Sequence, residues 1–134
     1  MKVQQLSVML ANKAGALCAV SEILAQNHIN MRAMVIADTK DFGILRLIVD
    51  NVQQVAQLLR DAGYVYTITE VLAVSMGDQS GALAAKVNAL TQAGIGIEYA
   101  YAFTSSAPNA AYGVFRVDDI DKAEQVLGSA SFRL

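Results

Sequence analysis

The sequence predicts an α+β protein built twice over: two βαββαβ units, each an antiparallel sheet with its helices on one face. Three observations carry this. Asn12-Lys13-Ala14-Gly15-Ala16-Leu17 returns as Asp78-Gln79-Ser80-Gly81-Ala82-Leu83, an offset of 66 (78 − 12). The same offset continues through Leu24 and Leu90, Ile29 and Ile95, and Met31 and Ile97. Phe42-Gly43-Ile44-Leu45-Arg46 then returns as Tyr112-Gly113-Val114-Phe115-Arg116, an offset of 70 (112 − 42). One Gly-Ala-Leu arises easily by chance, whereas a held register through a shared element order does not. The units are expected at residues 1–69 and 70–134.

In the first unit, Leu6, Val8 and Leu10 alternate within Val3 to Leu10, a half-buried strand. A polar loop with Gly15 leads into Ala16 to Gln26. There Leu17, Val20, Ile23 and Leu24 fall three and four apart, the inner face of an amphipathic helix. Cys18 is expected to pack in the core as a small hydrophobe. Asn27-His28 closes the helix, with Asn27 suited to a left-handed position. Ile29 to Thr39 reads as a strand with Met31, Ala33, Val35 and Ala37 on one face and Met34 and Ile36 on the other. Asp38 to Asp41 makes a hairpin connection to a strand over Phe42 to Val49. Asp50 or Asn51 caps the next helix, whose inner residues are Val52, Val55, Leu58 and Leu59. Tyr64 to Met76 is too long for one ordinary strand. It serves as the last strand of the first unit and, from about Glu70, the first strand of the second.

The second unit repeats this order. Its four extra residues fall within Thr104 to Asn109 around the only proline, Pro108, which marks a longer hairpin. Asp118-Asp119 opens a final helix with Ile120, Ala123, Val126 and Leu127 inward, and Ser131 to Leu134 is a stub of a last strand. Each unit thus has the ferredoxin-like arrangement. Pairing the units edge to edge would give one eight-stranded sheet and hide strand edges. The short last strand leaves one edge to be completed by a partner, so a homodimer is expected.

The 134 residues are 54% hydrophobic and only 16% charged, which argues against disorder. Two units of this size bury only about 60% of their unfolded surface and need a shared core or a partner. A net charge of −2 with no basic cluster argues against nucleic acid as a partner. The start of the chain is polar too early for a secretory signal, and no apolar run approaches the roughly 20 residues that span a bilayer. One thiol forms no internal disulfide, which fits a reducing compartment. A cytoplasmic protein with no membrane association is expected.

The two Asn/Asp-x-x-Gly-x-Leu stretches, each between a strand and a helix, resemble the fingerprint of the ACT domains, small βαββαβ ligand-binding modules found in regulators of amino-acid metabolism. The resemblance covers essentially the whole chain as a tandem pair. The proline that usually precedes the glycine is Ala14 in one copy and Ser80 in the other, so φ is less fixed in both loops. The resemblance implies an amino acid or related metabolite held between two units packed side by side. It assigns ligand contact to Asn12, Ala14, Gly15, Ala16 and Leu17, and to Asp78, Ser80, Gly81, Ala82 and Leu83. Asn30 and Met31, with Gly96 and Ile97, would form the facing wall. Asp78 is the stronger candidate of the Asn12–Asp78 pair, because a carboxylate pairs with an ammonium. Each helix start also directs backbone N–H groups into its loop, a seat for a carboxylate.

Plainer readings stand beside these. Gly15 and Gly81 suit any strand-to-helix turn, and Asn12 or Asp78 suits an N-cap. His28 lacks the neighbours that metal binding or proton transfer needs. Arg46 and Arg116, at equivalent strand positions, suit an outward face or a salt bridge. Tyr99, Tyr101 and Phe103 share one strand face, as core, interface or the wall of a pocket for an apolar or aromatic ligand. No nucleophile–base pair, metal set or phosphate loop stands out. The expected protein is therefore non-catalytic and without a cofactor. It would be a regulator that binds an amino acid and acts on a metabolic enzyme by shifting populations. The competing reading is an interaction subunit of such an enzyme with no working ligand site.

Overall fold

The computed structural model describes residues 1–38, 41–77, 79–104 and 111–128. In chain order these form β1 (Lys2–Ala11), α1 (Ala16–Gln26), β2 (Met31–Asp38), β3 (Phe42–Val49), α2 (Val52–Asp61) and β4 (Tyr66–Ser75). There follow α3 (Ala82–Gln92), β5 (Ile97–Thr104), β6 (Ala111–Val117) and α4 (Ile120–Leu127). The strands are antiparallel where paired and the order is βαββαβ-like in both halves, so the chain has the tandem ferredoxin-like α+β fold.

Contacts divide the chain into a unit of Gln4–Thr69 and a unit of Met1–Val3 with Glu70–Leu134. In the first, the strand order is β2-β3-β1-β4. Leu6 faces Leu47, Val8 faces Leu45 and Leu10 faces Gly43. Those leucines and valines point to the helices and are buried with Val20 and Leu24 of α1 and Val55, Ala56 and Leu59 of α2. Each such side chain contributes about 1.5–3 kcal/mol by leaving water. Asn51 caps α2, its side chain accepting from the Gln54 N–H at 3.1 Å.

In the second unit, β5-β6-β4 is completed by the first residues of β1. The Ala73 N–H donates to the Met1 carbonyl at 2.8 Å and the Met1 nitrogen donates to the Ala73 carbonyl at 2.9 Å. That reciprocal pair is the closely spaced rung of an antiparallel ladder. The Lys2 ammonium pairs with Asp121 on α4. Leu72, Val74, Phe115 and Val117 are buried with Leu90, Ile95 and Ala123. Asp119 caps α4, accepting from the Lys122 N–H at 3.1 Å. A duplication implies eight strands; the described residues form six, with β1 and β4 each contributing to both units. The last strand expected over Ser131–Leu134, the Pro108 hairpin and Thr39-Lys40 lie outside the described residues.

Four local expectations are corrected. Register shifts between Met31 and Ala33, so Met31 opposes core residue Val49 while Ala33 opposes Ile48. Met31 therefore shares the helix-facing side with Met34 and Ile36, because a bulge reverses the alternation on one side of it. Cys18 is exposed, its Sγ 3.7 Å from Glu22 Oε1. It lies two residues before Val20, about 200° around the helix from the buried stripe. The left-handed residue after α1 is His28 (φ 55), one place beyond Asn27 (φ −102). The Asn27 amide instead donates to the Ile23 carbonyl at 2.8 Å. Val126 remains 38% exposed; Ala123, Ile120 and Leu127 supply the packing of α4.

Tyr99, Tyr101 and Phe103 pair with Arg116, Val114 and Tyr112, on the sheet face opposite α3 and α4. The Phe103 and Tyr112 rings stack with centroids 5.3 Å apart. Arg116 lies 3.5 Å from Glu98, an ion pair within the unit. Among the described residues no helix is long and apolar enough to cross a membrane.

Candidate functional site

The loop after β1 is built by its own backbone. The Asn12 N–H donates to the Asp41 carbonyl at 3.3 Å, and the Lys13 N–H to the Ala11 carbonyl at 2.9 Å. Gly15 is the N-cap of α1 with φ 90 and ψ −13, a left-handed conformation. A Cβ there would meet nothing within 4 Å, so glycine is required for its backbone and not for space. The Ala19 N–H bonds to the Gly15 carbonyl at 3.0 Å, and no side chain caps the helix. Asn12 is thus not the N-cap of α1, and helix geometry leaves the Leu17 and Cys18 N–H groups at the open end.

The second copy has the same frame. Gly81 is the N-cap of α3 with φ 86 and ψ −2, and the Ala85 N–H bonds to the Gly81 carbonyl at 3.0 Å. Leu17 and Leu83, in the first turn of each helix, are 39% and 52% exposed, which a strand-to-helix turn alone would not require of a large apolar side chain. Ser80 is exposed and Ala82 half-buried. Asp78 lies outside the described residues.

In the first unit the loop borders a cleft of about 290 Å³ lined by Leu10, Ala11, Asn12, Lys13, Ala16, Leu17, Ile36 and Gly43. Three of the expected contact residues, Asn12, Ala16 and Leu17, come together there. Ala14 and Gly15 form the exposed crest of the loop. A second, apolar space of about 120 Å³ lies beneath α1, lined by Leu17, Val20, Ser21, Leu24, Met31, Met34, Leu45 and Leu47. Met31 is brought to Leu17 there by the bulge in β2.

The other expected wall residues each have partners within their own unit. Asn30 hydrogen-bonds to Asp50, whose Oδ1 also accepts from the Arg32 guanidinium at 2.6 Å. The Arg32 hydrogen bond, with its charge and the Asn30 bond behind it, holds the Asp50 carboxyl below its ordinary range. In the second unit the Gly96 N–H donates to Asp118 Oδ2 at 3.1 Å, and Ile97 packs on the core. A Cβ on Gly96 would meet that oxygen at 2.8 Å, so a larger residue there would push the Asp118 carboxylate aside.

Sequence reasoning missed Leu10, Ala11, Lys13, Ile36 and Gly43 in the cleft, and below it Ser21, Met34 and the core residues Val20, Leu24, Leu45 and Leu47. The repeated aromatic–glycine pair was the available sign. Once β1 pairs with β3, Gly43 stands opposite Leu10 beside the loop. Among the described residues no three His, Cys, Asp or Glu side chains gather so as to hold a metal ion.

The fold is shared with known structures. A protein of Bacteroides thetaiotaomicron is 40% identical, with 95% of this chain and 87% of that one covered and a TM-score of 0.88. The regulatory subunit of aspartate kinase from Thermus thermophilus, in its ligand-free form, superposes with a TM-score of 0.71 at 15% identity, covering 92% of this chain and 87% of that one. The corresponding subunit from Thermus flavus gives 0.68 at 16%, with the same coverage. At those identities the two subunits share the fold. Comparison with curated proteins gave no match. The family model for the ACT domain pair matches residues 1–132, and with this fold and its twice-written left-handed glycine loop the chain belongs to that family.

Proposed function

We propose that this protein is a non-catalytic regulator that binds a small molecule, an amino acid or related metabolite, and passes that state to an enzyme of amino-acid metabolism. The observation that carries the reading is the cleft beside Asn12–Leu17, where polar Asn12 and Lys13 meet apolar Leu10, Leu17 and Ile36. An α-amino acid needs such a mixed surface. Its carboxylate is met by the Lys13 ammonium and by N–H groups at the start of α1, and its ammonium by the Asn12 side-chain oxygen. Ala14, Gly15 and Ala16 complete the first loop, with Met31 and Asn30 behind it. Asp78, Ser80, Gly81, Ala82 and Leu83, with Gly96 and Ile97, are the matching set in the second unit.

The enzyme partner is supported by the regulatory subunits of aspartate kinase that share this fold. A homodimer in the cytoplasm is the proposed working form. A ligand shifts such a system only by its difference in affinity for two states, of the oligomer or of the enzyme complex. Isothermal calorimetry and thermal shift against the twenty amino acids test the reading. Saturable binding by one or a few is expected. A folded protein that none of them stabilises would overturn the reading in favour of an interaction subunit, and capture of an enzyme by that protein would establish the latter.

A further inference from the structure

The apolar space beneath α1 is separate from the polar loop yet adjoins it, since Leu17 borders both. Of its lining residues only Ser21 is polar. The Ser21 hydroxyl donates to the Cys18 carbonyl at 2.9 Å, so its hydrogen is already committed within the helix. A polar group entering here would lose water and find no donor, at a cost of kilocalories, whereas hydrocarbon would gain. Around the opening, Leu17, Met31 and Met34 stay 39%, 44% and 39% exposed. Three large apolar side chains left partly wet around one opening form the kind of patch that marks a binding surface. Two of them are methionines, whose flexible thioethers reshape around a guest.

We propose that this cavity takes the side chain of the ligand, and that the ligand is an aliphatic or thioether amino acid such as leucine or methionine. The inference rests on the amino-acid reading above and specifies its substrate class. Size agrees with chemistry. An apolar cavity of about 150 Å³ accepts benzene. The 120 Å³ here suits the smaller isobutyl or methylthioethyl group. An aspartate carboxylate would find no donor here, and a lysine ammonium would find only the Ser21 hydroxyl oxygen for its three N–H groups. The bulge at Arg32 is what makes the site, because without it Met31 would point to the other face of the sheet.

Calorimetry on the full chain with alanine, valine, leucine, methionine, threonine, aspartate and lysine tests this. Affinity is expected to rise from alanine through valine to leucine and methionine, by about tenfold for each methylene. Ser21→Leu fills the cavity from a helix position that tolerates leucine. It is expected to weaken leucine about tenfold or more while leaving alanine unchanged. Methyl-labelled methionine NMR on the native chain gives a second readout, independent of that variant's folding. Leucine should move the Met31 and Met34 signals and leave Met9 and Met76 in place. Binding only of threonine, aspartate or lysine would overturn this inference and leave the amino-acid reading standing. So would leucine binding that ignores Ser21→Leu in a folded variant or leaves Met31 and Met34 unmoved. Absence of binding by every amino acid would overturn both.

Discussion

Gly43 and Gly113 hold the same place in the two units, yet their surroundings have gone opposite ways. A Cβ on Gly43 would touch Ile36 Cγ2 at 3.4 Å, beside the open cleft. A Cβ on Gly113 would meet Phe115 Cε2 at 2.7 Å and Met76 Sδ at 3.0 Å. Where the first unit has Leu45 and Leu10, the second has Phe115 and Met76, and their extra bulk presses on the glycine. The backbone frame of the duplication has been kept, with Gly15 and Gly81 at φ 90 and 86. Divergence has been spent on volume next to the loop. Frame and fill are therefore separable, and substitutions test each.

The largest effects are expected in the fill. Phe115→Ala should cost about 3–5 kcal/mol and Leu45→Ala about 2–5 kcal/mol, measured by urea unfolding. Hydrogen exchange should show each loss concentrated in its own unit. Gly113→Ala should cost about 1–3 kcal/mol, because an aromatic ring in a packed core has little room to retreat. Gly43→Ala, which asks only a small movement of Ile36, should stay within about 1 kcal/mol while narrowing the cleft and weakening ligand. Equal losses at the two glycines would break the comparison. Gly15→Ala and Gly81→Ala test the frame. With nothing within 4 Å of either Cβ, each should lose about 1 kcal/mol from φ alone, and the two losses should agree.

The smallest effect is electrostatic. The Arg32 hydrogen bond lowers the Asp50 carboxyl below its ordinary value of 3.8. A carboxylate whose folded pKa is depressed adds stability above the unfolded value and loses it as pH falls through the folded one. Asp50→Asn should therefore be slightly less stable than the natural chain at pH 7, with the gap closing below pH 3.8. An unchanged gap across that range in urea midpoints would deny the pair any role. Both groups are well exposed, so salt should shrink the effect.

Features that repeat along the chain could be read from it. The twofold βαββαβ order, the loop glycines and the double service of the run ending at Met76 all follow from comparing the copies. Features that depend on register could not. The bulge that turns Met31 inward leaves no mark in side-chain alternation, because an extra residue in a strand looks like any other residue. Cys18 reads as core until the buried stripe is fixed by Val20 and Leu24. Gly43 reads as a strand glycine until antiparallel pairing brings Leu10 and the loop beside it. Asn12, Ala16 and Leu17 of the cleft could be named from the sequence, whereas the apolar space below it appeared only with the pairing of distant strands.

Sharing of β1 and β4 has a consequence for how the protein is made and inherited. Met1 and its partner Ala73 are 72 positions apart. At about 5–20 residues per second, Met1–Val3 leaves the ribosome roughly 4–14 seconds before the strand it pairs with. During that wait the edge it will complete does not exist. The second unit is also not a contiguous length of chain. A gene cut between residues 69 and 70 would give a downstream fragment lacking its outer strand, with an open edge prone to pair with other chains. With β1 and β4 serving both units, side chains can change within either unit, but neither unit can be removed without taking a strand from the other.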